Sequence, residues 1–359
     1  MICVVNTMDI LKVRLQNTGL TDSRFKNAAQ AIAHLGAVQA QDFSAAKWAL
    51  GLRVRNATDA TIEKAFNDGK ILRTHILRPT WHFVLPGDIR WMLDLTAPRV
   101  KKILEPYNRK LDLDDALLAK SNQVIVKALR RESELTRHEL KAELERSGIR
   151  TNVQRLAHIV VWAELNSLIC SGPRRGKQFT YALLEERVPK AKRLLREEGM
   201  ARLALTYFRS HGPAQLKDFS WWSGLPMKEA REALELIKTG LRDVTLQDKT
   251  YWFCGQSKRK APAAPRALLL SIFDEYTIAY RDRSDLSKTG QQDIAKMLSM
   301  GSPLTAVIIL DGKLAGTWKK KLNKNTIEVD LHPFSKLSKR EERALALEVF
   351  RYRKFIDAP

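Results

Sequence analysis

The chain has 359 residues, 44% of them hydrophobic, so it is long enough for two or three domains with substantial cores. Lysine and arginine (62 residues) outnumber aspartate and glutamate (40 residues), which gives a formal net charge of +22 at pH 7. Because the excess is spread along the chain and not confined to a tail, it excludes a disordered basic arm. It indicates instead a folded basic surface that binds a polyanion such as nucleic acid.

The cysteines and the N-terminal residues of the chain limit which cofactors the protein can hold and in which compartment we expect it. Cys3, Cys170 and Cys254 are odd in number and have no Cys-x-x-Cys spacing, which argues against a disulfide framework, a metal site and an iron–sulfur cluster. No apolar run approaches transmembrane length, and residues 1–20 lack the basic head and long apolar core of a signal peptide. We therefore expect no metal, no cofactor and no membrane partner, and a cytoplasmic, nucleoid-associated protein.

Residues 10–86 are predicted to form a first winged-helix unit, in which helices precede a β-hairpin. Apolar residues at helical spacing end at Gly36, a common C-terminal stop. Asp42 or Ser44 can cap the next helix. After a third helix, two apolar runs joined by a proline-containing turn at Arg78 form the hairpin.

Two further units repeat this order. Residues 87–184 are predicted to hold a connecting helix and a second winged-helix unit, in which Thr136 and Asn152 cap helices. Residues 185–255 are predicted to hold a third unit, in which Pro213 opens the second helix. A helix, a glycine-containing turn and a second helix give these units the helix-turn-helix arrangement.

The C-terminal part of the chain changes character. Residues 256–265 form a basic, proline-containing linker without large apolar side chains. Residues 266–359 contain apolar strands, an Asp-Gly hairpin signal at 311–312 and a helix over 340–355. The predicted fold class is therefore α+β: three tandem winged-helix (helix-turn-helix) units, followed by a small C-terminal β-barrel-like domain with a terminal helix.

Five motifs together resemble those of one protein family. The chain resembles the AlkZ-like winged-helix DNA glycosylases, a bacterial group with three tandem winged helices and a β-barrel domain. Any one motif is weak alone, but the five follow the family's order and spacing and span nearly the whole chain. They are residues 38–42 (VQAQD), 77–83 (LRPTWHF), 211–213 (HGP) with 219–225 (FSWWSGL), 273–276 (FDEY) with 280–283 (YRDR), and 316–319 (GTWK).

The resemblance implies an activity and two catalytic residues. The family's activity is hydrolysis of the N-glycosidic bond of N7-alkylated purines in double-stranded DNA, including, in part of the family, unhooking of interstrand crosslinks. Its catalytic motif, two polar residues flanking an apolar one, matches Gln39 and Gln41. A related subgroup has aspartate at the second place, so the chain resembles the Gln-x-Gln subgroup more closely. Without a lysine in the motif, the implied enzyme is a monofunctional glycosylase, which we expect to be a monomer.

Their spacing alone would make Gln39 and Gln41 ordinary loop residues, which either cap a helix or are solvated. If residues 37–42 are extended, both side chains face the same side, whereas on a helix they diverge by about 200°. A glutamine amide accepts and donates hydrogen bonds, so it can position a water molecule, although it cannot act as a strong general base. Asp42 would point away from the pair, and its simpler role is to cap the next helix.

The candidate DNA-binding residues lie on two predicted hairpins. On the first, Arg78 could bind phosphate and His82 could reach the lesion side, and a scaffold role is an equal alternative for each. On the second, Arg174, Arg175 and Lys177 form a cationic tip, for which DNA contact is favoured over a solvated loop. Since His75 and His82 are seven residues apart and have no acidic partner nearby, we expect no metal site there.

Two other classes of function remain as alternatives. Winged helices also occur in transcription regulators that only bind DNA, and fold alone does not decide between them and an enzyme. A regulator, however, has no need for the glutamine pair, and the sequence shows no dimerisation helix. A structural or RNA-binding protein ranks lower, because the aromatic motifs that recognise single strands are absent from the sequence.

Overall fold

The computed structural model describes residues 7–188, 194–255, 267–287, 305–323 and 326–357 as a mixed α/β protein; the predicted linker at 256–265 lies outside these ranges. No helix in the described ranges is long and apolar enough to cross a membrane. The helices are α1 (Thr7–Asn17), α2 (Ala28–Leu35), α3 (Phe43–Gly51), α4 (Asp59–Asn67), α5 (Pro86–Lys110), α6 (Asp115–Arg131), α7 (Arg137–Arg146), α8 (Val153–Leu165), α9 (Leu184–Arg187), α10 (Arg196–Ser210), α11 (Leu216–Ser223), α12 (Met227–Ile237), α13 (Glu275–Ile278) and α14 (Lys339–Asp357). The strands are β1 (Val38–Gln39), β2 (Leu72–Ile76), β3 (Thr80–Val84), β4 (Leu135–Thr136), β5 (Ile169–Ser171), β6 (Thr180–Leu183), β7 (Leu241–Leu246), β8 (Lys249–Cys254), β9 (Ala267–Leu270), β10 (Ala306–Leu310), β11 (Lys313–Asn323) and β12 (Thr326–Pro333).

The contacts divide the chain into two compact units, each assembled from separated stretches of sequence. The first unit comprises Met1–Glu63, Ala201–Trp222 and Met227–Pro359, and the second comprises Lys64–Met200 and Ser223–Pro226. The sequence predicts domains that follow one another along the chain, and those boundaries stay a prediction.

In the first unit, the segment with the glutamine pair lies between a helix stop and a helix cap. α2 ends at Gly36, where φ is 85° and an added Cβ would lie 3.0 Å from Thr206 Cγ2. A residue with a side chain is therefore disfavoured there by both the backbone conformation and the space. α3 begins after Asp42, whose Oδ1 accepts a hydrogen bond from the Ala45 N–H at 2.7 Å. The predicted stop at Gly36 and the cap at Asp42 are confirmed.

The second unit contains two helix-and-hairpin segments. β2 and β3 pair antiparallel, and β6 pairs antiparallel with both β4 and β5. Thr136 caps α7 in a capping box with Glu139, and Asn152 caps α8, so both predicted caps are confirmed. These helices bury a common core, which includes Leu118, Ile125, Leu129, Leu140, Leu144, Ile159 and Ile169.

The start of α11 differs from its prediction. The sequence places it at Pro213, whereas the helix begins at Leu216. The reason is that Ala214 exchanges backbone hydrogen bonds with Trp252 of β8, at 3.0 and 2.8 Å, and is therefore extended. The cap then falls at Gln215, whose N–H donates to Asp218 Oδ2 at 2.9 Å.

Strands β9 to β12 of the first unit form a four-stranded antiparallel sheet, in the order β12-β11-β10-β9. The indole N–H groups of Trp48 and Trp318 donate to the carbonyls of Leu269 and Leu270 in β9, at 2.7 and 2.8 Å. α14 packs Tyr352 against both tryptophans. Within the described residues the sheet is open, not closed into the predicted barrel, because its four strands are fewer than the roughly eight that enclose a filled interior.

His34, on the helix that precedes the glutamine pair, makes the stability of the first unit sensitive to acid. Burial, opposed by the Asn17 carbonyl and reinforced by Arg24, lowers the pKa of His34 to about 4. The unfolded chain binds a proton near pH 6.5, so His34 stabilises the fold fully above that pH, and this stabilisation is lost as the pH falls towards 4. We expect a loss of about 2–3 kcal/mol in the free energy of unfolding between pH 7.5 and pH 4.5.

Urea unfolding at these two pH values measures this loss. The variant His34→Gln should lose less stability than the wild type over the same interval, because its side chain does not titrate. The exposed His138 provides the matched control, and His138→Gln should follow the wild type. An equal pH dependence in His34→Gln and the wild type would contradict the assignment.

Candidate active site

The glutamine pair lies at the end of a very short strand. β1 covers only Val38 and Gln39, and the backbone bends at Gln41 and Asp42. The extended conformation predicted for residues 37–42 is therefore present only in part. Gln39 is 7% exposed, whereas Gln41 is exposed to solvent. The two amides thus differ in environment, one buried in the unit and one at its surface.

A buried carboxylate holds the backbone of this segment. The Gln39 N–H donates to Glu275 Oε1 at 2.9 Å, although 236 residues separate the two. The other oxygen, Glu275 Oε2, accepts a hydrogen bond from Trp222 Nε1 at 3.0 Å and lies 3.5 Å from His211 Nε2. Glu275 is only 1% exposed. Because a carboxylate with such buried donors has one favoured position, Glu275 fixes where Gln39 lies.

Aromatic residues and a hydroxyl enclose His211 behind the carboxylate. The Tyr207 ring stacks on the imidazole at a centroid distance of 5.0 Å, and Ser210 Oγ lies 2.8 Å from His211 Nδ1. The Tyr280 hydroxyl donates to the His211 carbonyl at 2.8 Å. Burial raises the pKa of Tyr207 and of Tyr280, which keeps both phenols neutral hydrogen-bond donors. The result is a buried, hydrogen-bonded support for the residues around Gln39.

A second buried pair anchors the same loop. Asp274 makes two hydrogen bonds of 2.8 Å to the Arg53 guanidinium, and neither side chain is more than 1% exposed. Arg53 follows α3 and also donates to the carbonyls of Thr18 and Ala49, both at 2.7 Å. Asp274 and Glu275 therefore bind residues on the two sides of α3. Glu275 binds Gln39, which precedes the helix, and Asp274 binds Arg53, which follows it.

Comparison with known proteins identifies the family. The family model described as "DNA glycosylase AlkZ-like" matches residues 32–355, which is most of the chain. The chain belongs to the AlkZ-like DNA glycosylase family. It is 22% identical over 328 residues, 85% of each chain, to the interstrand DNA cross-link repair glycosylase of Streptomyces sahachiroi. The solved structure of the DNA glycosylase AlkZ from the same organism superposes with a TM-score of 0.77 over 99% of this chain and 97% of that one; at 17% identity this likeness shows the fold alone.

Sequence reasoning about this AlkZ-like glycosylase found the segment but not its support. The helical spacing of Trp222 from Phe219 and Leu225 predicts only a core position, and residues 273–276 enter the sequence analysis only as one of the family motifs. Trp222 is indeed fully buried, but its indole N–H also binds Glu275. Two adjacent acidic residues shortly after a buried apolar strand are a signal that could have found this support, because buried carboxylates need specific partners.

We expect Glu275→Gln to lower the rate at which the enzyme releases its base by about 10-fold. The amide keeps one acceptor oxygen but turns its NH2 towards one of the two donors that the carboxylate satisfies. Glu342, which is exposed on α14, provides the matched control variant, Glu342→Gln. Single-turnover release and DNA affinity measured together test this. A wild-type rate in Glu275→Gln would show that the carboxylate does not position Gln39.

The first hairpin does not place both of its predicted DNA-binding residues at the surface. Arg78 is half-buried at the turn. His82 is 0% exposed, and its Nδ1 lies 2.9 Å from the carbonyl oxygen of Thr80. A buried imidazole cannot contact DNA unless the hairpin rearranges, so the prediction for His82 is corrected to a role in packing.

The second hairpin carries cations in three different environments. The Arg175 guanidinium donates to Glu139 Oε1 at 2.8 Å and so contributes to folding, contrary to the expectation that all three cations face DNA. Arg174 donates to the Lys177 carbonyl at 2.8 Å and lies 5.0 Å from the centre of the Phe179 ring. Lys177 is exposed, and the described part of the chain shows no ion pair to it. Lys177 is therefore an exposed cation of the tip that no described ion pair engages.

The histidine on the neighbouring strand does have an acidic partner. His75 Nδ1 forms a short hydrogen bond with Glu164 of α8, and both side chains are buried. The expectation that no acid lies near this histidine was wrong, because the partner is 89 residues away in sequence. Among the described residues, no group of three or more His, Cys, Asp or Glu side chains could hold a metal ion.

Proposed function

We propose that the protein is a monofunctional, cofactor-independent glycosylase, which hydrolyses the N-glycosidic bond of cationic N7-alkylated purines in double-stranded DNA. One observation carries the proposal: Gln39 is held by the buried Glu275, while Gln41, two residues on, is exposed. Membership in a glycosylase family and a net charge of +22 support the proposal, since both fit an enzyme that acts on a polyanion.

The chemistry suits an amide pair. Alkylation at N7 gives the purine a positive charge, which makes the base a good leaving group. The bond between C1′ and N9 breaks, its electron pair neutralises the base, and the oxygen of a water molecule bonds to C1′ and releases one proton to solvent. The transition state resembles an oxocarbenium ion, so the water needs to be positioned more than deprotonated.

The two glutamines take different parts in this proposal. The exposed amide of Gln41 orients the water, because its oxygen accepts a hydrogen bond and its NH2 donates one. Gln39, fixed by Glu275, sets the backbone from which Gln41 projects and contributes its own amide at the sugar. Asp42 takes no part in the chemistry, since its carboxylate caps α3.

DNA binding rests on the helix-and-hairpin segments, which we interpret as three tandem winged helices followed by a β-rich C-terminal domain. Arg78, Arg174 and Lys177 contact the DNA backbone, and Lys177 contributes most because it is exposed and makes no ion pair within the described residues. Such contacts give little sequence preference and an affinity that falls steeply with salt. The enzyme acts as a monomer in the cytoplasm, and its substrates include interstrand crosslinks, as the name of the Streptomyces relative states for that protein.

The proposal is tested by whether the enzyme releases a cationic base in preference to an uncharged base. The purified protein is incubated with duplexes that carry N7-methylguanine, or uracil as an uncharged base, and abasic sites are counted. Release of N7-methylguanine and not of uracil is expected, because an amide cannot protonate a neutral leaving group. Equal release of both bases would contradict the mechanism, and binding without release of either would favour a protein that only binds DNA.

A further inference from the structure

A cavity of about 390 Å³ lies within the second unit, where the hairpins β2–β3 and β5–β6 meet the start of α7. Arg73 of β2, Arg137 of α7 and Lys177 of the β5–β6 loop contribute cationic side chains to its wall, and we name it the arginine pocket. Among the described residues that line it, none is aspartate or glutamate. A concave surface with this excess of positive charge favours an anionic ligand.

Aromatic rings fix the position of Arg73. Its Cζ lies 4.1 Å from the centre of the Trp81 ring and 4.8 Å from the centre of the Phe179 ring. The Trp81 ring in turn contacts the His75 imidazole, at a centroid distance of 4.4 Å, and His75 is bonded to the buried Glu164. These contacts order the Arg73 guanidinium before any ligand binds, which lowers the entropy cost of binding one.

The two arginines offer the donors that a phosphate group accepts. A guanidinium carries five N–H groups at the edge of a plane, in a fork that matches two phosphate oxygens. Arg73 is 8% exposed, at the wall of the pocket. Arg137 is half-buried and uses one N–H to donate to the Val153 carbonyl at 3.1 Å. Two guanidinium groups, held by different elements of the fold, can therefore bind a single phosphate together.

Tyr181 shows that the two arginines converge on one part of the pocket. Burial and Glu164 raise the pKa of the Tyr181 phenol, whereas Arg137 and Arg73 act in the opposite direction. Both guanidinium groups are thus close enough to stabilise a negative charge at the same place. The phenol itself stays neutral and can donate a hydrogen bond to an anion.

Two carboxylates near the pocket already bind basic side chains. Glu139 Oε1, in the first turn of α7, accepts a hydrogen bond from Arg175 at 2.8 Å. Glu164 bonds to His75, and both of these side chains are buried. Because each carboxylate has its own partner, the repulsion that an incoming anion would meet is reduced.

We propose that the arginine pocket binds one phosphate group, through Arg73, Arg137 and Lys177, and that this phosphate belongs to the backbone of a DNA strand. The net charge of +22 and the exposure of Lys177 fit a site that DNA can reach. A small phosphate-bearing molecule presents the same chemistry, so the experiment includes both sources. The pocket adds a phosphate site to the proposed function and does not depend on base release, because undamaged DNA suffices to test it.

Salt-dependent DNA binding by the full chain is the first test. The probe is an undamaged duplex, and the readout is the slope of log Kd against the logarithm of the salt concentration. Arg137→Gln should reduce the magnitude of this slope by about 0.9, the value of one phosphate contact, and weaken binding by about 5- to 10-fold at low salt. Arg146→Gln removes the same charge from the opposite, exposed end of α7 and should keep the wild-type slope.

Inorganic phosphate is the second probe. The melting temperature of the DNA-free protein is measured in sodium phosphate and in sodium chloride of equal ionic strength. A ligand that binds only the folded state stabilises it, so phosphate should raise the melting temperature of the wild type and of Arg146→Gln more than that of Arg137→Gln. If Arg137→Gln folds poorly, Arg137→Lys keeps the charge and should weaken DNA binding by about 3-fold through the loss of the planar fork, whereas Arg146→Lys should not.

The two probes separate the outcomes. A smaller slope for Arg137→Gln supports the backbone phosphate. A phosphate effect on melting that Arg137→Gln loses, together with an unchanged slope, supports the phosphate site and overturns DNA as its source. Equal behaviour of the Arg137 and Arg146 variants with both probes overturns the proposal. None of these readouts requires release of N7-methylguanine, so a failure of the glycosylase proposal is measured separately.

Discussion

Replacing Gln41 by alanine is expected to lower the single-turnover release of N7-methylguanine by about 100- to 1000-fold, the cost of losing one positioned polar group in a hydrolytic transition state. The substitution removes an exposed amide and no buried contact of Glu275, so folding should be preserved. DNA affinity should also change little, because cationic side chains supply most of the binding energy.

Two further variants define how specific this loss is. Gln123, exposed on α6, provides the matched control, and Gln123→Ala should release the base at the wild-type rate. Gln41→Asp restores an oxygen acceptor and should recover part of the activity. If Gln41→Ala releases N7-methylguanine as fast as the wild type, the water is positioned by another residue.

Breaking the buried pair between Arg53 and Asp274 should have the largest effect on stability. Asp274→Ala leaves the Arg53 guanidinium buried without its carboxylate, and we expect a loss of about 3–5 kcal/mol in the free energy of unfolding. The double variant Arg53→Leu/Asp274→Leu should lose less than the sum of the two single changes, because no unpaired buried charge remains.

Urea unfolding of Asp274→Ala, of the two single leucine variants and of the double variant measures these differences. Arg109→Ala is the control, because it breaks an ion pair with Glu105 in which both side chains are largely exposed, and no resolvable change is expected. A small effect of Asp274→Ala would mean that water or another group replaces the carboxylate. The result bears on catalysis as well, since Asp274 anchors the loop that presents Glu275 to Gln39.

The local features of the fold could be predicted from the sequence. The stop at Gly36 and the caps at Asp42, Thr136 and Asn152 depend only on residues a few positions away, so a sequence window contains their cause. Hairpins β2–β3 and β7–β8 are local for the same reason.

The support of the candidate site could not be predicted. The bond between Gln39 and Glu275 joins residues that only the folded unit brings together, and no local pattern encodes it. The burial of His82 and the ion pair of Arg175 with Glu139 likewise depend on tertiary packing. The sequence of the second hairpin tip therefore predicted more cations available to DNA than the structure leaves outside ion pairs.

One measurement tests the central claim most directly: abasic-site formation in a duplex with a single N7-methylguanine, by the wild type and by Gln39→Ala/Gln41→Ala, with DNA affinity determined for both. The account predicts release by the wild type, none above background by the double variant, and equal affinities. Release by both proteins would show that the protein is a glycosylase whose active site is not the glutamine pair. That result would contradict the mechanism proposed for this member of the family.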